Sequence, residues 1–124
     1  MRPVGRTLWA IAEGYIPPGG TQGSHALESH ETACMLNAGD ADAHVEITIF
    51  FKDREPVGPY EVTVPARRTL HLRFNDLEKP ERVPRGTDYA SVIESDVPIV
   101  VQHTRLDSRQ AALALLTTMA YPAA

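Results

Sequence analysis

Alternation constrains this chain more than any other feature. Across Ala43–Phe51, Val45, Ile47, Ile49 and Phe51 fall on one side of an extended backbone, and His44, Glu46 and Thr48 on the other. Successive side chains of a strand point to opposite faces, so this period gathers the apolar residues on one of them. The period recurs in residues 60–64 (Tyr60, Val62, Val64) and 68–74 (Leu70, Leu72, Phe74). Each run reads as a half-buried antiparallel strand, apolar inward and polar outward.

Further strands are expected at residues 6–12, around Leu8, Trp9 and Ile11, and at residues 31–36. Residues 89–95 and 98–105 read as two neighbouring strands joined at Asp96-Val97-Pro98. Ile99-Val100-Val101 is apolar on both faces and suits a central strand, with Pro98 at its first position, where no ladder donor is needed. Pro17-Pro18-Gly19-Gly20 opens a long loop reaching about Ser29, and residues 75–87 form a second. Residues 37–40 make a turn in which Gly39 is free to take positive φ, and residues 56–59 link two strands. Many short strands separated by Gly/Pro turns predict a sandwich or jelly roll. The C-terminus is ambiguous. Asp107 and Gln110 resemble a capping box ahead of residues 111–116, whereas Thr117, Thr118 and Tyr121 suit a strand.

At 124 residues the chain fits one domain, spanning residues 1–124, large enough to fold without a disulfide or metal. The single Cys34 lies in an apolar run and reads as a buried, inert thiol. A net charge of −4 disfavours non-specific DNA binding. No run reaches the roughly 18 apolar residues of a membrane span. Residues 1–13 lack the apolar core of an export signal, so a cytoplasmic location is expected.

Six strings are more distinctive: WAIAEGYIPP (residues 9–18), SHETACMLNAGDADAHVEITIFF (29–51), EPVGPY (55–60), VPARRT (64–69), RFNDL (73–77) and VPIVVQHTRLDSRQ (97–110). Together they closely resemble the sensory rhodopsin transducer family, named for a soluble cyanobacterial protein that works with a sensory rhodopsin. The resemblance covers nearly the whole chain. It implies an all-β, antiparallel β-sandwich of jelly-roll type with about eight strands, assembled as a homotetramer. It also implies a small-molecule-binding scaffold similar to carbohydrate-binding folds and, in some members, a relay from a membrane photoreceptor. On this basis the C-terminus is expected to be a strand within residues 112–121.

Two constellations suit a polar ligand. Trp9, Glu13 and Tyr15 set aromatic faces beside an acceptor, as sugar sites do, although Trp9 also reads as core. His71, Arg68, Gln102 and Arg105 could converge on an anionic or hydroxyl-rich ligand, or else form a solvated face. Trp9, Glu13, Tyr15, Arg68, His71 and Gln102 are therefore the expected ligand-binding residues. The five histidines (His25, His30, His44, His71, His103) show no metal-ligand spacing, and neither metal nor cofactor is expected. Ser91, His103 and Asp107 could be assembled into a triad on paper but lack a nucleophile elbow, and no enzyme is expected. The leading function is a signal transducer or small-molecule-binding protein, partnered by copies of itself, the cytoplasmic face of a sensory rhodopsin, or a sugar-like ligand. The alternatives are a DNA-binding regulator using Arg67, Arg68, Arg73 and Arg105, and a carbohydrate-active enzyme.

Overall fold

The alternation of Ala43–Phe51 predicts a half-buried strand, and the computed structural model, which describes residues 2–20, 27–110 and 112–124, has a strand there with one face in the core. The chain is all-β: β1 (Arg6–Tyr15), β2 (His30–Asn37), β3 (Ala43–Phe51), β4 (Val57–Val64), β5 (Arg68–Arg73), β6 (Asp88–Asp107), β7 (Ala114–Met119) and β8 (Tyr121–Pro122). A single 3-10 turn, Phe74–Asp76, is the only helical piece among the described residues. None is long and apolar enough to cross a membrane.

The expected pair of neighbouring strands at residues 89–95 and 98–105 is one strand of 20 residues, β6. Its two halves do not pair with each other. Residues 89–95 lie between β1 and β3, whereas residues 100–107 lie between β2 and β7. Pro98 is thus mid-strand rather than first, at the point where β6 leaves one set of partners for the other. Proline has no N–H to give a ladder, and this crossing is where none is required. The strands run β4-β3-β6-β1-β8 on one side and β5-β2-β6-β7 on the other.

The inward parities of both sets meet in one core. Trp9, Ile47, Ile49, Tyr60 and Ile93 come from the first, and Ala33, Met35 and Val101 from the second. Each large side chain so buried contributes roughly 1.5–3 kcal/mol. The Tyr60 hydroxyl donates to the Glu81 carbonyl at 2.7 Å and so ties the second long loop to β4. The first long loop is closed by a bridge between Gly20 and Glu28; residues 21–26, His25 included, lie outside the described residues.

One local expectation is met and two are corrected. The C-terminal strand expected within residues 112–121 forms as β7, because the free edge of β6 from Gln102 to Asp107 takes a ladder partner there. Asp107 spends its carboxylate on the backbone N–H and guanidinium of Arg109 instead of capping a helix. Ala111 itself lies outside the described residues. In the turn at residues 37–40 positive φ is not taken by Gly39. The Asn37 side chain accepts the Gly39 N–H at 3.0 Å, and Arg67, whose N–H reaches the Gly39 carbonyl, has φ 56°. Cys34 is half-buried, because it falls on the outward parity of β2 between the inward Ala33 and Met35.

Gly5 faces the β6 crossing at close quarters. It has φ +107°, and a Cβ there would stand 2.0 Å from the Ile99 carbonyl oxygen. Gly5→Ala is expected to cost about 1–3 kcal/mol from backbone strain alone. The contact with Ile99 adds to this, and a fall in the urea midpoint at unchanged m-value checks it.

Candidate functional site

Glu31 sits on the inward parity of β2 with Ala33, Met35 and Asn37, a carboxylate on an apolar face. Its side chain is 0% exposed. An ionised carboxylate is that deeply buried only when its charge is met by donors. The strand register supplies them: Glu31 lies directly opposite Arg105, and His103 is two residues further along the same inward face of β6. Oε2 accepts from His103 Nε2 at 3.0 Å and Arg105 Nε at 3.1 Å. Oε1 accepts from an Arg105 guanidinium nitrogen at 3.0 Å and from the Tyr15 backbone N–H at 2.7 Å.

Burial alone pushes the Glu31 carboxyl upward, but the hydrogen bonds of His103, Arg105 and Tyr15 outweigh it and hold the group below its ordinary value. Arg105 is held more firmly protonated, chiefly by its hydrogen bonds to Glu31. The hub reaches solvent through Arg105, which also donates to the exposed carboxylate of Glu13 at 3.0 Å and stands 5.9 Å from the Tyr15 ring centroid. The buried Tyr89 hydroxyl, which has no hydrogen-bond partner among the described residues, is pushed upward by burial first and by the Glu31 charge second. The hub therefore joins the end of β1 to β2 and β6. With four donors on two oxygens, Glu31 has no spare capacity for proton transfer; the arrangement fixes strands relative to one another.

The expected ligand residues do not form one cluster. Glu13 and Tyr15 meet at the hub through Arg105. His71 and Gln102 flank Cys34 from both sides on the outward face of β5, β2 and β6. Arg68 pairs with Asn37 at the far end of β5, three residues from His71 and so of opposite parity. Trp9 is 4% exposed, with its indole N–H shared between the Arg6 and Ile99 carbonyls at 3.0 and 3.1 Å. It belongs to the core. Glu31 and His103, absent from the expected set, are the hub's centre; the available signal was a Glu on an inward parity.

The triad on paper is not assembled: His103 Nε2 is on Glu31, Asp107 is on Arg109, and the Ser91 hydroxyl has no partner among the described residues. The four arginines of the DNA alternative do not act together, since Arg105 is committed to the hub and Arg67 faces Asp40. Among the described residues no three His, Cys, Asp or Glu side chains stand close enough to share a metal ion.

The outward face of the other strand set is acidic. Glu46 lies directly opposite both Glu61 and Glu94, so three carboxylates form one row across β4, β3 and β6. They line a groove together with His44, Thr63 and Asp96. Like charges directly opposite one another on a sheet are destabilising, so this row works against folding unless a cation covers it.

A family model described as Anabaena sensory rhodopsin transducer matches residues 4–122. Among solved structures, the chain is 63% identical to the Anabaena sensory rhodopsin transducer, with TM-score 0.73, over 84% of this chain and 100% of that one. It is 37% identical to Thermotoga maritima 1070, with TM-score 0.84, over 98% of this chain and 96% of that one. No curated protein matches.

Proposed function

Because the chain belongs to the sensory rhodopsin transducer family, we propose that it relays a signal by binding rather than by catalysis, with the cytoplasmic face of a sensory rhodopsin as its partner. The observation that carries this reading is the match to that family over nearly the full length. The acidic row Glu61–Glu46–Glu94 supports it chemically. Cytoplasmic loops of membrane proteins carry an excess of Lys and Arg, and an acidic sheet face of this kind complements them. Such contacts set on-rate and orientation, and they weaken with salt.

The functional unit in this reading is a homotetramer. β7 supports an interface between copies: β6 is its sole described strand partner, and it presents Leu115, Leu116 and Met119 at 50–70% exposure beside Leu113 and Tyr121. An apolar edge left open in this way invites pairing with another chain. A sugar-like ligand is the second reading, favoured by the half-buried Tyr15 ring beside the exposed Glu13 carboxylate.

The test is titration against a sensory rhodopsin in nanodiscs. Wild-type chain is expected to bind, more weakly as salt rises. The Glu46→Lys/Glu94→Lys variant is expected to lose about tenfold or more in affinity, a cost of roughly 1.4 kcal/mol, and most of the salt dependence. Equal affinity of the two would remove the acidic face from the account, and absence of binding would remove the photoreceptor. Light scattering on Leu115→Arg/Met119→Arg is expected to give a smaller particle than the wild-type assembly.

A further inference from the structure

Two side-chain polar atoms among the described residues are fully buried with no hydrogen-bond partner, the hydroxyls of Tyr89 and Ser91. They stand at consecutive inward positions of β6, at 5% and 1% exposure. Both flank a bulge in β1. Ile11 lies opposite Ser91 and Gly14 opposite Tyr89, so three steps of β1 face two of β6 and one residue of β1 is left out of the ladder. The Tyr89 hydroxyl is held in place by its ring. That ring lies across Gly14, where a Cβ would stand 2.5 Å from a ring carbon, and is tilted against Phe74 with centroids 5.5 Å apart. Glu31, whose charge Tyr89 feels, already accepts four hydrogen bonds and has no lone pair left for a fifth.

A buried hydroxyl left unpaired costs its full desolvation penalty. Here two would do so at the two ends of one bulge. The bulge also supplies further partners, because it takes backbone N–H and C=O groups of β1 out of the ladder between these hydroxyls. We propose that the inner side of this bulge is a hydration site, where ordered water enclosed between β1 and β6 bonds the Tyr89 and Ser91 hydroxyls and the backbone groups released from the ladder. Water both donates and accepts, and it serves buried polar groups of this kind. A bulkier guest does not fit, since even a methyl group on Gly14 would strike the Tyr89 ring. The bulge leaves Ala12 and Glu13 exposed in succession, and Glu13 meets Arg105 there. Water that holds the bulge in shape therefore also positions Glu13 at the rim of the hub.

The site is independent of the photoreceptor reading and is tested on the isolated chain. Tyr89→Phe and Ser91→Ala distinguish a hydrated hydroxyl from an orphaned one by sign. Deleting an orphan removes a penalty, and the urea midpoint rises. Deleting a hydroxyl that is bonded to water loses that bond. The folding equilibrium constant is then expected to fall about 2- to 10-fold in each variant, with a lower midpoint at unchanged m-value. A high-resolution crystal structure of the wild-type chain should show a water oxygen within roughly 3.0 Å of each hydroxyl oxygen. A midpoint that stays or rises in either variant overturns the proposal. So does the lack of water density at either hydroxyl in a crystal where other buried waters are well defined.

Discussion

Glu31→Gln is expected to destabilise the fold by about 3–5 kcal/mol, because it removes the buried carboxylate of the charge set and leaves Arg105 only the exposed Glu13 as counter-ion. Glu31 accepts four hydrogen bonds and is shielded from water. The neutral amide presents one oxygen where the carboxylate presented two, and its NH₂ opposes a guanidinium or backbone donor. Glu13→Gln removes another contact of the same Arg105 but at the solvent rim, where Glu13 is 72% exposed; it should cost under about 1 kcal/mol. The pH dependence has a definite sign. An unfolded glutamate titrates near 4.5, and the folded state holds Glu31 below that. Its stabilisation is therefore complete above about pH 4.5 and is lost as the pH falls through the lower, folded value. Urea midpoints measured between neutral pH and pH 3 should show wild type losing stability in this window and the Gln variant losing less.

Trp9→Ala is expected to cost about 3–5 kcal/mol, the range for emptying a large aromatic site in a packed core. That is a large share of the roughly 5–15 kcal/mol total stability of such a domain. Trp9→Phe keeps most of the volume and loses the N–H shared by the Arg6 and Ile99 carbonyls. It should cost about 1–3 kcal/mol. A ligand-binding tryptophan behaves differently, giving a variant of near-normal stability that fails to bind. Denaturant unfolding of both variants separates the two roles.

How far the sequence was legible follows from parity. Ala43–Phe51 alternates cleanly because β3 has one face in the core and one in water, and its limits agree with the structure. Parity is equally informative elsewhere on the chain. Arg68 and His71 are three apart on one strand and so cannot share a face. Glu31 shares the parity of Ala33 and Met35, which marks it as buried. What parity cannot give is which strand lies opposite which. Pairing of Glu31 with Arg105, or of Cys34 with both His71 and Gln102, is a long-range property of the ladder. β6 shows the same limit: nothing local says that one strand serves two sets of partners across Pro98. At the C-terminus, helix propensity in residues 112–116 lost to the open edge of β6, a tertiary effect that composition does not carry.

Relay by binding requires that the partner's two states be bound unequally, since a ligand with equal affinity for both shifts nothing. The most direct measurement is the affinity of the wild-type chain for a sensory rhodopsin in nanodiscs, taken in the dark and under continuous illumination at fixed salt. The account predicts binding in at least one state and a dark-to-light change in Kd of about 5-fold or more, the lower end of ordinary coupling energies. The same Kd in both conditions, or no binding in either, would contradict it.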